Sequence, residues 1–162
     1  MKKNLLISVL SLILLISFGW DAFAQMPNAY GPPINLDAAK KAAASAIAEA
    51  RKSNWTMAIA IVDIGGDLVY FEKMDGTPTG SVRVAISKAR SAALYKRPTK
   101  EWGDMAAAGG AGLRILGLEG AVPLEGGLPL LMDAKIVGAI GVSGGTGAQD
   151  GTVATAGAQA VK

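Results

Sequence analysis

The sequence predicts an α/β protein of the α+β type. It should hold a single, mainly antiparallel sheet of four to five strands flanked by helices, in the order α-β-β-α-α-β-β-α. Two apolar segment pairs, each joined by a short turn, predict two hairpins. Stretches with helical periodicity precede and follow each pair. Long strand–helix–strand crossovers of the doubly wound kind do not appear, so neighbouring strands pair with one another.

Residues 1–24 read as an export signal. Lys2 and Lys3 give a positive start, Leu5 to Phe18 an apolar run, and Ala22-Phe23-Ala24 the small-x-small pattern that a signal peptidase accepts. A retained membrane anchor is the alternative, because Leu5 to Trp20 is nearly long enough to span a bilayer. The chain has no cysteine, which excludes a lipoprotein. The expected mature chain, Gln25–Lys162, carries no membrane span and works in the periplasm or outside the cell. Residues 25–35 form a proline-rich extended arm, and 36–162 form the domain.

The first helix starts at Asn35, whose side chain can cap it, with Asp37 in the first turn. Leu36, Ala39, Ala43, Ala46, Ile47 and Ala50 form its apolar stripe, and so many alanines allow close approach to a sheet. Met57 to Val62 is apolar on both alternating sets, as suits a strand covered on both faces. Asp63-Ile64-Gly65-Gly66-Asp67 turns the chain, and Leu68 to Lys73 returns. A helix from Ser81 to Lys96 follows, with Val82, Ala85, Ile86, Ala89 and Ala93 inward. Pro98 stops it, and Thr99 is placed to cap a shorter helix containing Trp102 and Met105. The alanine and glycine run from 106 to 112 weakens any helix beyond 107. Leu128 to Asp133 and Ile136 to Val142 form the second hairpin, with Pro129 marking an edge position. Thr146 and Gln149 form a capping box for the last helix.

The chain has 162 residues, of which 51% are hydrophobic and 18% charged, enough for one domain with its own core. The lack of cysteine excludes disulfides, thiolate metal sites and thiol nucleophiles; the lack of histidine removes the usual zinc ligand and proton shuttle. Loss of Lys2, Lys3 and Asp21 leaves 14 basic and 12 acidic residues, a formal charge of +2. So small a charge does not point to nucleic acid.

Two features could bind an anion. Arg83, Arg90 and Arg97 recur every seven residues and form one slowly drifting seam on a helix, with guanidinium groups suited to carboxylates or phosphates. An ordinary solvated face is the alternative, and Lys88 lies on a different side. Ser143-Gly144-Gly145-Thr146-Gly147 offers backbone N–H groups at a helix start, although glycine there also permits close packing. The carboxylates are scattered, and no pair is placed for acid–base work.

Three ordered motifs then resemble the GlcG/HbpS-like haem-binding family. They are Ile61-Val62-Asp63 with Gly65-Gly66 and Met74-Asp75-Gly76; Lys88-Ala89-Arg90-Ser91-Ala92 with Arg97-Pro98-Thr99; and Val137 to Thr146 followed by Gln149-Asp150. The resemblance runs from Leu36 to Val161. It implies a mainly antiparallel α/β fold, homo-oligomers (dimers or larger), and a tetrapyrrole or small anionic molecule as partner, with haem as cofactor. Some relatives are small-molecule enzymes, so action on a small carboxylate or 2-hydroxy acid is an alternative; an accessory or structural oligomer is another. The sequence departs from the family pattern at Ser91, where threonine is common, at Ala134 in place of a turn glycine, and at Gly151, where an acidic residue is frequent.

With no histidine, iron coordination known for the family through that residue cannot transfer. Thr99 offers a hydroxyl, and Met57, Met74, Met105, Met132, Tyr30, Tyr70 and Tyr95 are the soft or phenolic donors, each with core packing as its ordinary role. The resemblance therefore implies binding through Arg83, Arg90, Arg97 and Thr99, with Ser143, Gly144 and Gly145 as a further anion contact.

Overall fold

The computed structural model describes residues 28–161, so the export signal expected over 1–24 lies outside the described residues. The elements are α1 (Leu36–Lys52), β1 (Ala58–Asp63), β2 (Leu68–Lys73), α2 (Ser81–Tyr95) and α3 (Thr99–Ala107). A 3-10 helix (Gly110–Gly117), β3 (Gly127–Met132), β4 (Lys135–Ser143) and α4 (Gly147–Gln159) complete the chain. The four strands form one antiparallel sheet in the order β2-β1-β4-β3. The two hairpins therefore meet through β1 and β4, which join the sheet's halves.

Residue size decides which helix covers which face. One face of the sheet carries Ile59, Ile61, Leu130, Ile140 and Val142, and packs against α1 and α4. The other carries Ala58, Ala60, Val62 and Ala139 against Ala85, Ala89, Ala92 and Ala93 of α2. Small residues on both sides bring α2 down onto the strands. At Gly141 the approach is so close that a methyl group would run into the Ala85 carbonyl and the Ala89 amide. This is why β4 has glycine at its centre, where a strand would otherwise favour a branched side chain.

Local signals set the element ends. The Asn35 side chain accepts from Ala38 N at 2.9 Å and starts α1. Thr146 and Gln149 form the expected capping box on α4. Pro129 sits in edge strand β3, opposite Ala139. The β3–β4 turn holds Asp133 and Ala134 at φ of 48° and 58°, the left-handed pair that a two-residue hairpin requires.

The arm preceding α1 also pairs with the sheet. Beyond the last β1–β4 pair, Asp63 with Gly138, Tyr30 forms a parallel bridge to Ile136. Gly31 N donates to Ile136 O at 2.8 Å and Ile34 N to Val137 O at 2.7 Å. The arm thus fills the place that a longer β1 would have taken. Its Tyr30 hydroxyl donates to the Ala93 carbonyl at 2.8 Å and ties the arm to α2.

Three details differ from the sequence expectation. Thr99 does not cap α3: Pro98 is the N-cap, without a side-chain bond, because the Thr99 hydroxyl is turned inward to the start of β3. The weak helical signal past 107 hides a 3-10 helix, entered through Gly109 and Gly110 at positive φ. Leu36, expected on the apolar stripe of α1, is 48% exposed, and Ala42 is buried there in its place.

Two substitutions test this packing. Ala134→Gly relieves a left-handed alanine and is expected to raise unfolding stability by about 1 kcal/mol. Gly141→Ala forces α2 off the sheet and is expected to cost about 3 kcal/mol. Urea unfolding of both variants should shift the midpoint in opposite directions.

Candidate binding site

Lys88 organises the interior between the sheet and the chain's second half. Its ammonium donates to Asp150 Oδ2 at 2.7 Å and to the Val142 carbonyl at 2.9 Å. The two charged side chains are only 3% and 4% exposed. The other carboxylate oxygen of Asp150 accepts from Gly145 N at 3.0 Å. One ion pair therefore binds α2, the end of β4, the glycine turn and the first turn of α4.

That pair also fixes the loop leading into β3. Gly126, at φ 120°, passes so near that a methyl group there would lie 2.7 Å from the Val142 carbonyl and 3.0 Å from the Lys88 ammonium. No other residue type satisfies both the dihedral angle and the space. Next to it, Gly127 N donates to the Thr99 hydroxyl at 2.9 Å, and that hydroxyl donates to the Leu124 carbonyl at 2.6 Å. Further back, the Ser91 hydroxyl accepts from Val122 N at 3.1 Å. Ser91, Thr99 and Lys88 thus lay the segment from 122 to 127 along α2 and α3.

A groove of about 330 Å³ lies between α3 and the 3-10 helix. Trp102, Met105, Arg114, Ile115, Gly117 and Leu118 line it. Its volume is at the lower end of the range for small-molecule sites, and its walls are mainly apolar. Trp102 is only 6% exposed, and its indole N–H has no hydrogen-bond partner among the described residues. The Arg97 guanidinium lies 4.6 Å from the Trp102 ring centroid and 3.7 Å from Glu101. Leu118 at its wall is 41% exposed, and Leu113 and Leu116 of the 3-10 helix are 50% and 66% exposed.

The residues singled out from sequence do not converge. Arg97 and Thr99 lie at the α3 end, beside Trp102, with the Thr99 hydroxyl committed to backbone partners. Arg83 is exposed on α2, and Arg90 donates through Nε to the Gly66 carbonyl at 2.8 Å, bracing the first hairpin. Ser143 pairs opposite Ala58 at the end of β4. Gly144 is pressed against Thr56 and Met57, and the Gly145 and Thr146 amides are taken by Asp150 and Gln149. The protein's own Asp150 thus supplies an anion at the glycine turn.

Lys88, set off the arginine seam in the sequence, is buried, and Arg114, which no sequence pattern singles out, lines the groove. Lys88 is three residues after Ala85 and four before Ala92, on the alanine stripe of α2, and that spacing was the available signal. Arg114 sits in a glycine-rich stretch with no clear periodicity, so its place depends on the 3-10 geometry. At Gly151 the Glu125 carboxylate lies over the helix, and it would have to swing aside to admit a side chain there.

The phenols are poorly placed as metal ligands. Tyr30 donates to Ala93, Tyr70 to Glu72 and Tyr95 to the Glu119 carbonyl. Burial raises the Tyr30 pKa above 10.0, and the hydrogen bond to Glu72, ahead of burial, raises that of Tyr70. Both therefore remain protonated at neutral pH.

Comparison with known proteins adds to this geometry. A family model described as haem degrading protein HbpS-like matches residues 34–159. The chain belongs to this family. Escherichia coli GlcG (strain K12) is 41% identical over 96 residues, covering 57% of this chain and 67% of that protein. Among solved HbpS-like folds, a double mutant of Streptomyces reticuli HbpS has a TM-score of 0.74 at 28% identity, covering 88% of this chain and 94% of the other. A PduOC–haem complex has a TM-score of 0.71 at 25% identity, covering 80% and 96%. No helix among the described residues is long and apolar enough to cross a membrane.

The ion pair gives a prediction for the HbpS-like fold. Lys88→Met leaves the Asp150 carboxylate buried without its counter-charge, at an expected cost of about 3–5 kcal/mol. The double variant Lys88→Met/Asp150→Leu should recover a substantial part of that loss. A double-mutant cycle by chemical unfolding measures both.

Proposed function

We propose that this protein is an exported haem- or tetrapyrrole-binding protein of the HbpS-like family, acting outside the cytoplasm as an oligomer. The observation that carries the reading is the groove beside α3, which combines an apolar wall with the Arg114 guanidinium at its lining and Arg97 close by on Trp102. A porphyrin makes the matching demand: a flat apolar body and anionic propionates at one edge. Guanidinium groups suit those carboxylates, and the apolar wall suits the macrocycle. The haem in the related PduOC complex supports this class of ligand.

Arg97 and Arg114 hold the propionates in this reading. Trp102, Ile115 and Leu118 exclude water from the macrocycle, and Thr99 keeps the loop to β3 in place. Arg83, Arg90, Ser143, Gly144 and Gly145 were expected to bind the same ligand, but none of them lines this groove. The small-carboxylate reading calls for a pocket joining Arg83 or Arg90 to the glycine turn. The α3 groove does not join them: Arg90 is engaged by the Gly66 carbonyl, and the glycine-turn amides by Asp150 and Gln149.

A hemin titration of residues 25–162, followed in the Soret region, tests the proposal. Saturable, near-stoichiometric binding is expected. Arg114→Ala and Arg97→Ala should each weaken it by about tenfold, the loss of one charge-assisted contact, whereas Arg83→Ala should leave it unchanged. A shallow, nonsaturating response would contradict haem binding. Loss with Arg83→Ala alone would move the site to the exposed face of α2.

A further inference from the structure

We infer that Met105 supplies the thioether that faces the iron of a haem bound in the α3 groove. The inference rests on the haem-binding reading and names the donor within it. The chain has no histidine and no cysteine, so the usual nitrogen and thiolate ligands are absent. The three tyrosine hydroxyls already donate to Ala93, Glu72 and Glu119. Lys88 is consumed by Asp150 and Val142, and the Thr99 hydroxyl by Leu124 and Gly127.

Among the residues lining the α3 groove, Met105 carries the one soft donor atom, and the surroundings of the other three described methionines differ from it. Met57 is fully buried in the core. Met74 lines a groove together with Arg51, Glu72, Lys73 and Asp75, and Met132 lines one with Asp133 and Lys135. An apolar macrocycle laid on those walls would strip water from charges of both signs. Met105 lines the groove whose charged lining residue is Arg114, with apolar residues making up the rest of the wall. It is half-buried at the groove wall. A thioether is a soft donor and stabilises ferrous over ferric haem, so the ligand would make the bound haem easier to reduce.

The test compares hemin complexes of the mature wild-type chain, Met105→Leu and Arg114→Ala by absorption spectra in both oxidation states and by redox titration. Met105→Leu conserves volume and is expected to fold, which circular dichroism checks. It should retain hemin affinity to within about threefold, because the propionate contacts remain. It should nevertheless lose the wild-type ferrous spectrum and shift the midpoint potential downward. Arg114→Ala should do the reverse, weakening affinity while keeping the ferrous spectrum. Saturable hemin binding with identical spectra and potentials for wild type and Met105→Leu would overturn the Met105 assignment and leave the haem-binding reading standing. Absence of saturable binding to the wild-type chain would overturn both.

Discussion

The buried ion pair between Lys88 and Asp150 is the constraint on which the second half of the molecule depends. Both side chains are almost wholly removed from water, so each charge requires the other. Satisfying them forces α2, the end of β4 and the start of α4 into one arrangement. The pair also requires Gly126, since a side chain there would displace the ammonium or the Val142 carbonyl. The loop before β3 can then take only one path, and Thr99 and Ser91 secure it. The 3-10 helix is strung between that loop and α3, and this places Arg114, Ile115 and Leu118 opposite Trp102 and Met105. The groove is thus a consequence of an ion pair that does not itself line it.

Two chemistries sit on opposite ends of this arrangement. At the glycine turn, backbone amides that would suit a foreign anion are satisfied by Asp150 and Gln149, so the turn serves the fold. At the α3 end the balance is reversed. There leucines are exposed and guanidinium groups border an apolar wall. Exposed apolar surface of this kind is favourable to cover once a ligand or partner binds.

Most of the fold was legible because its signals are local. The two hairpins, the Asn35 cap, the Thr146–Gln149 capping box and the edge position of Pro129 follow from turn chemistry and period-two alternation. The site was less legible because its residues are joined by tertiary contacts. Arg83, Arg90 and Arg97 share a seven-residue spacing, yet Arg90 braces Gly66 and Arg97 stacks on Trp102, so the seam divides between different neighbours. Thr99 has the sequence appearance of a helix cap but bonds to a loop 28 residues away. Arg114 lies in a stretch whose glycines obscure any period. The burial of Lys88 was recoverable, since its spacing from Ala85 and Ala92 already set it on the buried face.

Amide hydrogen exchange with and without hemin tests whether the groove between α3 and the 3-10 helix of this HbpS-like protein takes the ligand. Hemin is expected to slow exchange over residues 102–118 and to leave the glycine turn at 143–147 and the exposed face of α2 around Arg83 unchanged. Protection confined to the glycine turn or to the Arg83 face, with 102–118 unaffected, would contradict binding in this groove.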